Sequence, residues 1–362
     1  MKSELANRNI INLPQLPTGF PLDRVREKYG IEQVAQLCYN ECAFGPSPKA
    51  VEAMRVEAER MHYYPEPSSE VLRNALAARH GVKADEIILS NGMDNVLQMI
   101  CHAFINPKDE VITCIPTFGA YQFGTAMAGG RFIGLPLKDN RFDLNAIYRA
   151  IDLKTKLIFI CNPNNPTGTI LKKDAIADFM AKVPEYVIVV FDEAYAEFVE
   201  DADYANGMDY VHAGRNVIVG RTFSKIYGLA GCRVGYAVAA MPLMRVLKKT
   251  AETFPVNRVA QSAAIAALYD HEFVEYVKTE TSKGRRYLIE KLSELSMKPT
   301  ESAGNFIWVD TNTDGKALAQ KLEGSGFIVR AGFGVGYESY LRISLGTMEQ
   351  NEGLITAIAR II

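Results

Sequence analysis

Nothing in this 362-residue chain stays apolar long enough to span a bilayer, and its opening stretch, MKSELANRNIINLPQLP, has no apolar core of the kind that directs secretion. The expectation is a cytoplasmic protein with no membrane partner. An excess of one charge is lacking too. Forty Lys and Arg stand against 42 Asp and Glu, a formal net charge of −2, which gives no footprint for nucleic acid. Histidine is scarce: His62, His80, His102, His212 and His271 show no metal-ligand spacing with one another or with the six scattered cysteines, so no metal site is expected. Most of those cysteines sit in apolar runs, where a reduced thiol behaves as a small hydrophobe. The glycine patterns of nucleotide loops are also missing. No Gly-x-x-x-x-Gly-Lys-Ser/Thr occurs, and no Gly-x-Gly-x-x-Gly follows an expected strand.

What is present is an ordinary globular composition, 48% hydrophobic and 23% charged, with length enough for a large core and two units. From about residue 85 to 240, β-rich runs alternate with helix-like segments: EIILS, DEVITCIP, RFIGLPL, KLIFICN, YVIVVFD, NVIVGRTFS and GYAVAA. Several are almost unbroken in apolar residues, as strands buried on both faces must be. The pattern predicts an α/β fold whose mostly parallel central sheet is flanked by helices, with ligand sites just after the strand ends. Beyond residue 255, long amphipathic helices and the short runs NFIWVD, FIVRAG and YLRISLG predict a smaller α+β unit. The expected division is a large domain over 41–270, and an N-terminal arm, 1–40, that joins 271–362 in the small domain.

Chemistry-bearing residues follow several of these runs. After EIILS, SNGMDN opens a helix at Met93 and Asp94, whose free amides suit an anion, although many helices begin after Asn-Gly with no ligand. CNPNNPTG ends KLIFI in turn-forming residues and carries Asn165. FDEAY puts Asp192 at the end of a buried strand, where a carboxylate is costly without a cationic partner, and Tyr195 follows. RTFSKIYGLAGCRVGY then sets Lys225 and Arg233 among glycines and small side chains. Pyridoxal phosphate would satisfy this set in one group: its aldehyde takes a lysine, its ring nitrogen a carboxylate, its ring oxygen amide and hydroxyl donors, and its phosphate cations and helix-start amides.

NNPTG, DEAY and SKIYGLAGCRVGY, in this order, resemble the signature segments of fold-type I pyridoxal-phosphate aminotransferases. PTFGAY, HYYPEPSS and YNECAFGPSP are similar to the histidinol-phosphate aminotransferase branch. The resemblance covers nearly the whole chain. It implies that Lys225 binds the cofactor and carries the proton between substrate and cofactor, and that Asp192 keeps the ring nitrogen protonated. Asn165 and Tyr195 would meet the ring oxygen, with Phe118 stacked on the ring. Arg233, Ser224, Thr222 and the amides of Met93 and Asp94 would hold the phosphate. Tyr64 would reach it from the other subunit of a homodimer with shared sites. Arg342 would grip the substrate's anionic group, with Arg330 as a second arginine and Asn40 beside the substrate. The implied reaction is a ping-pong exchange between an amino donor and a 2-oxo acid such as 2-oxoglutarate. Decarboxylation of a phosphorylated amino acid and a non-catalytic ligand sensor are the alternatives. Two positions depart from the branch: Cys42, where an asparagine is usual, and Leu16, where an aliphatic group replaces a tyrosine hydroxyl. Histidinol phosphate and an aromatic amino acid therefore both stand as donors.

Overall fold

The computed structural model describes residues 8–11, 13, 19 and 22–362, so Gln15 and Leu16, with the specificity argument built on Leu16, lie outside the described residues. After β1 (Ala35–Leu37), seven strands build the main sheet: β2 (Ile87–Asn91), β3 (Glu110–Ile115), β4 (Arg131–Pro136), β5 (Thr155–Cys161), β6 (Ile188–Asp192), β7 (Val217–Thr222) and β8 (Val234–Ala239). Each overlaps one of the β-rich runs, three of them reaching one residue beyond it. Their spatial order is β2-β8-β7-β6-β5-β3-β4. β6 is buried at every position and β5 at all but one, as their unbroken apolar sequences require.

One strand departs from the parallel expectation: β8 runs antiparallel to both β2 and β7. A parallel return needs a crossover of roughly a dozen or more residues, usually a helix. The segment 223–233 offers only a short 3-10 turn at Ala230–Cys232, so the chain doubles back. The consequence is functional. The start of β8, with Arg233 just before it, lies at the sheet edge where the six other strands end.

A smaller antiparallel sheet, ordered β12-β10-β9, consists of β9 (Lys298–Thr300), β10 (Phe306–Asp310) and β12 (Tyr340–Ser344). β11 (Phe327–Val329) pairs in parallel with β1, and reciprocal backbone hydrogen bonds between Arg330 and Arg342 join this pair to the small sheet. Strand alternation sorts the side chains. Ile307, Val309, Leu341 and Ile343 enter a small core with Leu288, Leu292, Leu354 and Ile358, whereas Phe306 packs in the large core. The helix His271–Glu294 serves both cores, giving Val277 to the large one and Leu288 and Leu292 to the small one. Among the described residues, no helix is long and apolar enough to cross a membrane and no His, Cys, Asp and Glu cluster is placed to hold a metal ion.

Candidate active site

The common strand edge opens into a cavity of about 430 Å³. Segments distant in sequence meet there: Tyr39–Glu41, Met93 and Asp94, Phe118, Cys161 and Asn165, Asp192 to Tyr195, Thr222 to Lys225, Ala230 to Arg233, and Arg342 from the small sheet. Lys225 follows the end of β7, and its Nζ donates to the Tyr39 carbonyl at 3.0 Å. Desolvation first, and then the Arg342 guanidinium, bring its pKa down to about 8, with Glu41 acting in the opposite direction. An amine so placed has a substantial neutral fraction near neutral pH, which an ordinary lysine lacks.

Asp192 ends β6 and is buried. Its Oδ2 accepts from the Tyr121 hydroxyl at 2.6 Å and its Oδ1 from the Ala194 amide at 3.2 Å. Among the described residues no cation pairs with it. Burial raises its pKa to about 6, against the pull of the Tyr121 hydrogen bond. The neighbouring Glu193 shows the contrast: it is equally buried, but Arg221 grips its Oε2 at 2.6 and 3.1 Å. An unpaired carboxylate facing a cavity beside a paired one is a site awaiting a positive group.

Opposite lies an anion cradle. The helix Met93–Phe104 begins at Gly92, whose φ of 85° favours glycine. Behind it, a Cβ on Gly235 would stand 2.6 Å from the Met93 amide nitrogen, so only glycine lets β8 approach the helix start. Met93 contributes its amide there, because its side chain packs beneath Gly220. Arg233 hangs over the same helix start, 3.4 Å from Asp94 and 3.5 Å from the Ser224 hydroxyl. Thr222 Oγ1 accepts from the Ser224 amide at 3.0 Å, which fixes both hydroxyls. Three hydroxyl or guanidinium groups converging on helix-start amides form a site for a phosphate-sized anion.

The third corner is Arg342 on β12. Its Nη1 donates to Asn165 Oδ1 and its Nη2 to the Cys38 carbonyl, while its buried Nε has no hydrogen-bond partner. Among the described residues it makes no ion pair, and desolvation lowers its pKa. Asn165 Nδ2 in turn reaches the Tyr195 hydroxyl at 3.5 Å, and Asn40 Nδ2 donates to the same oxygen at 3.0 Å. Asn40 is thus engaged at both ends, since its Oδ1 accepts from Ser344 at 2.9 Å, and its backbone is left-handed, with φ 55°. Its amide orients Tyr195, and Asn40 itself lines the cavity. Phe118 lines the cavity and meets Tyr121 edge-on, centroids 5.9 Å apart.

Tyr64, expected at the site of the other subunit, and Arg330 lie away from this cavity. Tyr64 is 77% exposed and stacks on Phe254, centroids 4.5 Å apart, on the protein surface. Arg330 is not among the residues of the cavity wall, and its backbone is hydrogen-bonded to that of Arg342. Sequence reasoning missed three that do join it. Tyr39 acts through a carbonyl, which no side-chain motif reveals. Glu41 sits at the cavity wall and accepts from Gln36 at 3.1 Å. Tyr121 stood inside the quoted PTFGAY, but its place on an apolar helix reads as core.

Comparison with known proteins gives a consistent result. The profile of the aminotransferase class I and II family matches residues 32–358. The chain is 43% identical over 354 residues to a histidinol-phosphate aminotransferase of Moorella thermoacetica, covering 98% of this chain and 92% of that protein. It is 36% identical over 353 residues to one from Halalkalibacterium halodurans, covering 98% and 96%. Among solved structures, the histidinol-phosphate aminotransferase of Sinorhizobium meliloti in complex with pyridoxal-5'-phosphate superposes with a TM-score of 0.91 at 27% identity, covering 99% of this chain and 98% of that one.

Proposed function

The chain belongs to the aminotransferase class I and II family and is a transaminase, and from that premise we propose that it uses pyridoxal phosphate to move the amino group of histidinol phosphate to a 2-oxo acid such as 2-oxoglutarate. The observation that carries the cofactor assignment is the trio around one cavity: a lysine of lowered pKa, a buried carboxylate without a cation, and a helix-start cradle under Arg233. Each fits one functional group of pyridoxal phosphate. When bound, the cofactor supplies an aldehyde for the amine and an electron-withdrawing ring. The protein does the rest. Lys225 would carry the proton between the substrate α-carbon and the cofactor, Asp192 would pair with the ring nitrogen, and Asn165 and Tyr195 would donate to the ring oxygen. Phe118 covers the ring, while Arg233, Ser224, Thr222 and the Met93 and Asp94 amides hold the phosphate. The large unit, 41–270, carries these groups; 1–40 with 271–362 carries Arg342. We place the protein in the cytoplasm.

The donor assignment rests on the names of the relatives together with Arg342, whose buried, ion-pair-free guanidinium suits a substrate anion. Arg330 lies close enough to lower the Arg342 pKa further and serves as the second cation. The test is a half-reaction screen in which cofactor-loaded protein meets single amines and conversion is followed by absorbance. Histidinol phosphate is expected to react fastest. Faster reaction with phenylalanine or tyrosine would overturn this donor, and release of carbon dioxide from a phosphorylated amino acid would overturn transamination. Arg342→Lys keeps the charge but loses the planar fork. It is expected to raise KM for histidinol phosphate about 10- to 100-fold, the scale of one charged hydrogen bond.

Tyr64 supports a homodimer with shared sites, since an exposed aromatic beside an exposed Tyr63 and Met61 lies remote from its own cavity. Mixing chains carrying Lys225→Ala with chains carrying Tyr64→Phe should yield hybrids in which one site regains both residues. Activity of the mixture no greater than the sum of the two parents would exclude sharing.

A further inference from the structure

We propose that Tyr121 is the positioning residue that holds Asp192 ionised and aimed at the cavity, a role that rests on the cofactor assignment only for its purpose, not for its test. The Tyr121 hydroxyl makes the shortest hydrogen bond to Asp192, 2.6 Å to Oδ2, and the side chain is fully buried. Its ring is pinned: it stacks on Phe159 with centroids 4.6 Å apart and an interplanar angle of 5°, and meets Phe118 edge-on. The ring therefore cannot carry its oxygen away from Asp192 without breaking a packed core, although the Cys161 thiol also lies within reach of the hydroxyl.

The other groups around Asp192 do not stabilise its charge. Glu193 on the same strand end and Asp94 across the cavity both repel it. The Cys161 thiol, on the adjoining end of β5, and Tyr195 are neutral, each raised by burial first and further by Asp192. Of these neighbours, the Tyr121 hydroxyl and the Ala194 amide favour the carboxylate. Tyr121 itself stays protonated, because burial and the adjacent carboxylate raise its pKa well above the ordinary value. It is a fixed donor to a charged acceptor, the strong class of hydrogen bond. A neutral Asp192 would have nothing to offer a cationic ring nitrogen, so the tyrosine sets whether the carboxylate can do its work. The edge contact with Phe118 also ties the carboxylate's partner to the residue that covers the ring.

The test uses cofactor-free protein. Denaturant unfolding of wild type, Tyr121→Phe, Asp192→Asn and the double variant is followed from pH 5 to 8.5. A buried carboxylate of raised pKa loses stability as pH rises through that pKa. Tyr121→Phe is expected to move the upper end of this loss upward by about one pH unit, and its midpoint by about half of that. Its penalty should be larger at pH 8 than at pH 5 and should lose its pH dependence in the Asp192→Asn background. A penalty equal at all pH values, or unchanged in that background, overturns the proposal. If the phenylalanine variant does not fold, difluorotyrosine at position 121 replaces it. Its more acidic phenol keeps the shape and should move the midpoint downward; an unmoved midpoint overturns the proposal. None of these readouts depends on pyridoxal phosphate. A negative half-reaction screen therefore strikes the function assigned to the cavity, and an unmoved midpoint strikes Tyr121 alone.

Discussion

Lys225→Ala is expected to leave a folded protein whose transamination has fallen by about 10⁴-fold or more, because one amine performs two tasks. It is the only lysine of the cavity wall among the described residues, and its position is set by two segments distant in sequence. β7 delivers it to the sheet edge, and the Tyr39 carbonyl, two residues beyond β1, holds its Nζ at 3.0 Å. Arg342 helps to depress its pKa, so the group proposed to grip substrate would also keep part of the lysine neutral. The pH dependence has a definite sign. Below pH 8 the folded protein protonates Lys225, and the rate at which cofactor-free protein captures pyridoxal phosphate should fall about tenfold per pH unit, levelling above pH 8. Capture and turnover are measured separately, by absorbance and by coupled assay. Turnover within tenfold of wild type in the alanine variant would remove Lys225 from the chemistry.

Much of this site could be read from sequence because it is built from strand ends. A run such as YVIVVFD is apolar until its last residue, so Asp192 announces itself as a charge at the end of a buried strand, and Lys225 and Arg233 stand out against glycines in the same way. What sequence withheld was direction and role. β8 was expected in a mostly parallel sheet, yet its antiparallel course is what brings Arg233 back to the common edge. Asn40 was expected beside substrate; it lines the cavity and also bridges Tyr195 and Ser344, the latter 304 residues away in sequence. Tyr121 looked like core because it is core; only the 2.6 Å contact, closed through folding of β3 and β6 in one sheet, gives it a second task. Long-range hydrogen bonds leave no periodic trace in sequence.

Asp192→Asn is the substitution in which stability and activity should move in opposite directions. In the folded cofactor-free protein, burial raises the carboxyl pKa from 3.8 to about 6, so between these values the native state binds a proton that the unfolded chain has released. Stability contributed by that proton is complete below pH 4 and is lost as pH rises through 6, leaving at pH 8 a net cost on the order of 3 kcal/mol. The neutral asparagine carries no such cost, and its oxygen still accepts from either Tyr121 or the Ala194 amide. Cofactor-free Asp192→Asn should therefore unfold at higher denaturant than wild type at pH 8, with the advantage shrinking towards pH 5. The loaded enzyme should behave in the opposite sense. An amide cannot balance a positive ring nitrogen, and losing one preorganised electrostatic partner typically slows a reaction by about 10²- to 10³-fold. The substrate's α-proton would be removed at that reduced rate while pyridoxal phosphate still binds through the cradle at Gly92 and Arg233. A kcat within threefold of wild type would show that the carboxylate contributes only to binding. Equal stability of both proteins at pH 8 would show that the charge of Asp192 is compensated from within the fold, and the cavity would then have no need of a cationic ligand there.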